Sequence, residues 1–238
     1  MKILIFGSSG FVGKHMKEFL IKNTNWEIFE SDIIKKNKKN YFQCDITSEG
    51  EVDRLLAKIE PDYVVNFAAQ SSVRNSWNNP TNTIRINTLG SINILESIRK
   101  NAIKTRVLLV GSVEEYGELK DDLVDEDSCL NPKNIYAVSK VSQELVARIY
   151  IDAYDMKIIL ARSSNHFGPG QSKQFVMSDF SYQIADIIKS NINKPFVKTG
   201  NIDIEKDFCD VRDVVLAYYL LLKNGKIGEA YNVVSGKS

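Results

Sequence analysis

Apolar residues in this chain fall in short unbroken runs, among them Ile3-Leu4-Ile5-Phe6, Tyr63-Val64-Val65 and Val107-Leu108-Leu109-Val110. A strand with one wet face alternates apolar and polar residues. A strand apolar at consecutive positions is buried on both faces, as in a parallel sheet flanked by helices. The runs Lys2–Phe6, Trp26–Glu30, Tyr41–Cys44, Asp62–Phe67, Arg106–Val110, Lys157–Ala161 and Ala230–Val234 are the expected strands. Between them lie helical patterns at Phe11–Lys22, Glu49–Lys58, Pro80–Asn101, Ile135–Tyr154, Gln174–Ser190 and Val211–Lys223. The expectation is an α/β fold, a Rossmann-like doubly wound parallel sheet. Gly168-Pro169-Gly170 marks where the regular alternation ends. Residues 1–164 then form a dinucleotide-binding domain, and 165–238 a small substrate lobe interleaved with the last sheet elements.

Composition narrows the function classes. At 238 residues, 43% hydrophobic and 26% charged, the chain can bury a sizeable core. Lys+Arg 31 against Asp+Glu 30 gives net charge +1, which offers no electrostatic drive toward nucleic acid or an acidic membrane. The local cluster Lys35, Lys36, Lys38 and Lys39 is expected to be a solvated loop. No apolar run reaches the ~20 residues of a membrane span. Cys44, Cys129 and Cys209 cannot all pair within the chain, which points to a reducing, cytoplasmic setting. With His15 and His166 as the only histidines, no metal site is expected.

Gly7-Ser8-Ser9-Gly10-Phe11-Val12-Gly13 follows the first strand and opens the first helix. Glycine permits a tight turn and close backbone approach to a pyrophosphate, and a helix N-terminus presents free N–H groups with partial positive charge. Asp32 lies 25 residues beyond Gly7, just past the second strand. A carboxylate there can accept from ribose hydroxyls and repel a 2′-phosphate, so NAD(H) is favoured, with NADP(H) admitted by the nearby lysines. The bland alternative is a turn and a surface acid.

Tyr136-Ala137-Val138-Ser139-Lys140 places a phenol and an amine at i and i+4, one helical turn apart on one face. A neighbouring ammonium is expected to lower the phenol's pKa, so that the pair can move protons near neutral pH. Ser112 ends an apolar strand beside Val110, at the edge where parallel sheets bind ligands. Its hydroxyl could hold a substrate oxygen against Tyr136.

These motifs resemble the short-chain dehydrogenase/reductase superfamily, in its extended, NAD-dependent epimerase/dehydratase branch. The GxxGxxG spacing fits that branch. Asp45-Ile46 resembles the pair that contacts adenine, and Phe67-Ala68-Ala69-Gln70 the fourth-strand motif lining the cofactor. Asn87 resembles the helix asparagine that braces the site, although a locally bonded helix residue would read the same. The resemblance implies Tyr136 as acid/base, Lys140 as its tuner and nicotinamide-ribose anchor, and Ser112 as orienter.

Three further segments are similar to the GDP-mannose group of nucleotide-sugar enzymes, most of all to reductases acting on GDP-4-keto-6-deoxy-D-mannose. They are Ala69–Val73, Gly111–Gly117 and Arg162–Gln171, the last followed by Phe175-Val176 and by Asp207–Asp213. By that resemblance Ser71, Ser112, Glu114, Asn165, Phe175, Val176, Lys206 and Arg212 face a GDP-linked substrate, and His166 lies near the nicotinamide. The residues alone leave alternatives. His166 could be an ordinary loop histidine, Phe175 and Val176 a helix-start core, and Arg212 a surface partner of Asp213 or Asp210.

Lys206 stands where the group usually has arginine, and an ammonium lacks the planar fork for a diphosphate. Group members also continue for several tens of residues past the segment resembling Tyr231–Gly236, so the substrate lobe is expected to be incomplete. The resemblance implies a homodimer or dimer of dimers through the helices at Pro80–Asn101 and Ile135–Tyr154. Rival expectations are a GDP-mannose 4,6-dehydratase or nucleotide-sugar epimerase, for which Glu114 would serve, and a non-catalytic NAD-binding protein.

Overall fold

Buried on both faces, β1 (Lys2–Phe6) sits in the middle of the sheet, with Leu4 facing Phe29 on one neighbour and Val64 on the other. The computed structural model describes residues 1–118, 124–190 and 195–237. In chain order, β1 leads into α1 (Phe11–Asn23), β2 (Glu27–Asp32), β3 (Tyr41–Gln43), α2 (Glu49–Ile59) and β4 (Tyr63–Asn66). Next come α3 (Val73–Asn78), α4 (Pro80–Ile84), a π-helical turn at Arg85–Leu89, α5 (Gly90–Lys100) and β5 (Arg106–Ser112). The chain continues with α6 (Ile135–Tyr154), β6 (Lys157–Ser163), β7 (Asn165–Phe167), α7 (Val176–Ser190), β8 (Phe208–Asp210), α8 (Val211–Asn224) and β9 (Ala230–Val233).

Seven strands pair in the order β3-β2-β1-β4-β5-β6-β9, every pairing parallel. Consecutive apolar residues serve opposite faces. Leu4, Phe6, Val64, Val107 and Leu109 pack with Val52, Leu56, Ile94 and Leu95 on one side. Ile3, Ile5, Val65, Leu108 and Ile159 pack with Met16, Leu20, Val214 and Tyr218 on the other. The strand order reverses between β1 and β4, and at such a switch the loops after the carboxyl ends diverge to leave a crevice. Gly7, Phe67, Gly111–Ser112 and Ser163–Ser164 all sit at those ends.

The structure revises several expected boundaries. Strands β2, β5 and β6 each run two residues past their expected ends, so Asp32 ends β2 rather than following it, Ser112 ends β5 as expected, and Ser163 ends β6. The single helix expected at Pro80–Asn101 is α4 and α5 joined by the π turn, which carries the buried Asn87. The short α3, capped by the Ser72 side chain accepting from Asn75 N–H, had no pattern long enough to announce it. Nor did β7 and β8, of three residues each, which pair parallel with His166 opposite Cys209. The segment from 165 onward is interleaved with the main sheet: β9 joins it with Ala230 opposite Leu160, and α8 packs on its face. The cysteines are unpaired. Among the described residues no helix is long and apolar enough to cross a membrane, and no three His, Cys, Asp or Glu cluster as metal ligands.

Candidate active site

The glycine loop is shaped by backbone contact. Gly7 has φ +75°, and a Cβ there would lie 2.6 Å from the Ala68 nitrogen. A Cβ on Gly13 would overlap the Gly7 carbonyl oxygen and come within 2.7 Å of Ser8 Cα. The loop therefore packs directly on β4's exit and on its own helix. Gly10 caps α1 with no side chain of its own, so among the described residues no side-chain cap occupies the helix's first N–H groups. Such a cradle, wall-less and electropositive, fits a pyrophosphate.

Asp32 ends β2 at the rim of this cradle. Its Oδ2 accepts from Ser9 N–H at 3.0 Å, and Lys36 Nζ donates to Ser9 Oγ at 2.7 Å. The expected lysine loop is thus partly engaged: Lys36 also stands 5.2 Å above the Tyr41 ring, and Lys38 pairs with Glu30.

From the cradle a cleft of about 450 Å³ runs past the ends of β4, β5 and β6. Of the residues singled out in sequence, Gly7, Gly10, Phe11, Val12, Gly13, Phe67, Ala69, Val110, Tyr136, Lys140 and His166 line it. Ser71, Ser112, Glu114, Asn165, Phe175 and Val176, expected toward the substrate, line it too.

Helix α6 begins at Asn134, whose side chain accepts from Ala137 N–H, and this start aims Tyr136 and Lys140 into the cleft. The Tyr136 phenol and the Ser112 hydroxyl share the cleft wall. Burial raises the Tyr136 pKa well above the ordinary tyrosine value, against the influence of the nearby Ser112, and the charges of Glu115 and Glu114 push the same way. This corrects the expectation of a phenol lowered by Lys140. The Lys140 ammonium instead donates to the Val110 carbonyl at 2.7 Å and to Gln143 Oε1 at 3.3 Å. Burial brings its own pKa down to about 8, with Glu115 opposing. Tyr136 is therefore a proton donor at neutral pH. His166 is neutral, its pKa pushed down to about 4 by burial, and its Nδ1 has no partner.

Other expected site residues stand elsewhere. Ile46 is buried on Gly90, where a Cβ would lie 2.5 Å from Ile46 Cδ1, so its side chain serves the core. Asp45 accepts from Thr47 N–H and hydroxyl. Ala68 offers backbone to Gly7, and Gln70 turns back to Ser72 and Thr83. Asn87 lies behind the wall as a brace, not on it. Lys206 pairs with Glu114 at 2.9 Å, and Glu114 Oε2 accepts from Asn134 Nδ2 at 3.1 Å. Arg212 is a correction: it grips Asp210 in two bonds, 72% of its side chain is exposed, and it takes no part in the cleft. The cleft also uses Gln171, Ser172, Met177 and Tyr218, which sequence reading passed over. Tyr218 falls on the apolar stripe of α8 and carried only a core signal; Ser163 Oγ meets its hydroxyl at 2.6 Å.

Comparison with known proteins agrees with this geometry. Residues 4–238 match the family described as GDP-mannose 4,6 dehydratase. The GDP-6-deoxy-D-mannose reductase of Pseudomonas aeruginosa is 31% identical over 99% of this chain and 75% of its own. The structure of RMD from Pseudomonas aeruginosa complexed with NADPH superposes with TM-score 0.88 at 31% identity, over 99% of this chain and 77% of the other. The UDP-glucose 4-epimerase of Thermus thermophilus in complex with NAD gives TM-score 0.86 at 25% identity, over 100% and 78%.

Proposed function

The chain belongs to the GDP-mannose 4,6-dehydratase family, within the extended short-chain dehydrogenase/reductases, and we propose that it reduces the C4 ketone of a GDP-linked 4-keto-6-deoxy-hexose, giving a GDP-D-rhamnose-type product. The observation that carries the reading is the buried, protonated Tyr136 phenol beside Ser112 in the cleft. A reduction needs a proton donor at the oxygen that gains charge, and this is one.

NAD(P)H, when bound, supplies the hydride. The backbone N–H groups of Phe11, Val12 and Gly13 receive the pyrophosphate, Gly7 and Gly10 let it approach the loop, and Ser9, its N–H held by Asp32, stands at the edge. Asp32 takes the adenosine ribose, with Asp45 and the Ile46 backbone toward the adenine. Phe67, Ala69, Val110 and His166 wall the nicotinamide half. Tyr136 Oη gives its proton to the ketone oxygen while the Ser112 hydroxyl holds that oxygen, and the Lys140 ammonium stabilises the phenolate left behind. Ser71, Asn165, Phe175 and Val176 hold the sugar diphosphate.

Dehydration is the second reading, because Glu114 is a carboxylate in the cleft. It is tied to Lys206 and Asn134, and a base for a C5 proton should be free, so reduction is favoured. The domain division at 164/165, a cytoplasmic setting and a role in supplying polysaccharide synthesis belong to the same reading. So does a homodimer on the α5–α6 face, where Leu89, Leu145 and Ile149 are 42%, 52% and 62% exposed.

The test is a panel of nucleotide sugars and 4-keto-sugars with NADH and NADPH, followed by absorbance and product mass. Net cofactor consumption with a keto-sugar and a product two mass units heavier supports the reductase. Turnover without net consumption would replace it with a dehydratase or epimerase.

A further inference from the structure

Directly beneath the reacting groups lies an acid that the proposed mechanism does not use. Glu115 is fully buried, at 0% exposure. Its Oε1 accepts from the Ser112 backbone N–H at 2.7 Å, and its Oε2 is buried with no partner. The carboxyl fills the space that a side chain on Gly111 would need, since a Cβ there would overlap Oε1. The strand end bearing Ser112 is thus seated on this carboxyl.

We propose that Glu115 is a positioning residue for the reductase chemistry proposed above, on which this inference rests: it anchors the Ser112 strand end and, through its charge, sets the protonation of Lys140 from behind the cleft.

The charges around Glu115 are few. From α6 it is near Tyr136, Lys140 and Glu144, and from β6 Arg162. Arg162 is committed to Glu144 by bonds of 3.0 and 2.6 Å and to the Tyr116 hydroxyl at 2.8 Å. Glu144 also takes Arg148 at 2.8 Å. That group satisfies itself and leaves Lys140 as the buried cation without a carboxylate of its own; its direct partners, the Val110 carbonyl and Gln143, are neutral. Burial raises the Glu115 pKa to about 7, the Glu144 charge adds to this, and Lys140 and Arg162 oppose it. Among the described residues, Glu115 is the charge that opposes the effect of burial on Lys140. The two groups therefore titrate over neighbouring pH ranges, and each biases the other.

The experiment follows lysine 13Cε resonances against pH in the full chain without cofactor, for the parent and Glu115→Gln. Glutamine keeps the acceptor for Ser112 N–H and removes the charge. The depressed lysine midpoint is expected to fall by about one pH unit, and the basic limb of kcat for keto-sugar reduction to move down with it. A folded Glu115→Gln protein with an unmoved lysine midpoint overturns the proposal. Linkage requires the converse, so Lys140→Met should raise the midpoint of the Glu115 13Cδ resonance. That measurement decides the matter where Glu115→Gln does not fold, and an unmoved Glu115 midpoint overturns the proposal equally. A merely structural Glu115 would change thermal stability and leave both midpoints in place. Absence of turnover with every keto-sugar counts against the reductase reading alone, because the titrations need no turnover.

Discussion

Asn87 binds both backbone groups of Gln70: its Oδ1 accepts from Gln70 N–H at 2.8 Å and its Nδ2 donates to the Gln70 carbonyl at 3.0 Å. One amide side chain thereby fixes the loop after β4, whose Ala69 and Ser71 line the cleft. The same Nδ2 donates to Ser139 Oγ at 2.8 Å, tying the loop to the helix that bears Tyr136 and Lys140. The π turn is what places Asn87 here, in keeping with the frequent siting of such turns at functional positions.

Asn87→Ala should cost about 2 kcal/mol, since it leaves the part-buried Gln70 backbone groups without their partner. Urea unfolding gives the value. The kcat for keto-sugar reduction should fall further than KM changes, because the loop's aim is lost rather than a substrate contact. A stability loss under ~0.5 kcal/mol would show that water replaces the amide.

Tyr136→Phe removes the proton donor without altering shape. General acid catalysis contributes about 10²–10⁴-fold, and kcat should fall by that order while NAD(P)H binding, followed by fluorescence, stays near the parent's. A variant reducing the keto-sugar at the parent rate would remove Tyr136 from the mechanism.

Lys140 is held in the protein at a cost. Its folded-state pKa, about 8, is below the ordinary 10.5. Stability from this group is full above 10.5 and lost as pH falls through 8, amounting to about 3 kcal/mol at pH 7. Lys140→Met should therefore raise the melting temperature near neutral pH while abolishing turnover. The Val110 carbonyl keeps a donor, since Gln143 Nε2 reaches it at 3.2 Å. An inactive variant that melts lower than the parent contradicts the burial penalty.

The sheet was legible because burial on both faces writes itself into consecutive residues, as at Ile3–Phe6 and Val107–Leu109. The glycine loop and the Tyr136/Lys140 pair were legible because turn geometry and helical pitch fix their spacing. What lay outside sequence reading depends on contacts distant in the chain. Ile46 reads as a ligand contact until Gly90 is seen to receive it. Arg212 reads either as a substrate contact or as a partner of Asp210 or Asp213, and only the structure chooses Asp210. The direction of the Tyr136 shift follows from how deeply α6 is buried, which no local pattern states. Glu115 carried a local signal, the Ser112-x-x-Glu115 spacing of a capping box, which the structure forms, but its burial beneath Gly111 depends on packing that no local pattern states.

His166 predicts an acid-labile site. Its imidazole pKa is down near 4, against an ordinary 6.5, through burial. Stability from this group is full above 6.5 and lost as pH falls through 4, about 3 kcal/mol in all. His166→Phe should flatten the fall in unfolding free energy across that window. An unchanged slope would mean that the loop opens before the imidazole protonates.

Cofactor choice should turn on two opposed charges that share one serine. Asp32 Oδ2 takes Ser9 N–H and Lys36 Nζ donates to Ser9 Oγ, so carboxylate and ammonium flank the same corner of the cradle. A 2′-phosphate there would meet repulsion from Asp32 and attraction from Lys36. Asp32 ends a strand and is fixed, whereas Lys36 sits on an exposed loop and is screened, so the carboxylate should dominate and NADH should bind more tightly than NADPH. Asp32→Ala should narrow the ratio of dissociation constants by about tenfold and Lys36→Ala should widen it. Both are read by fluorescence titration without substrate. If neither ratio moves, the 2′ position lies away from this corner, and the acid at the end of β2 serves only to hold the glycine loop through Ser9.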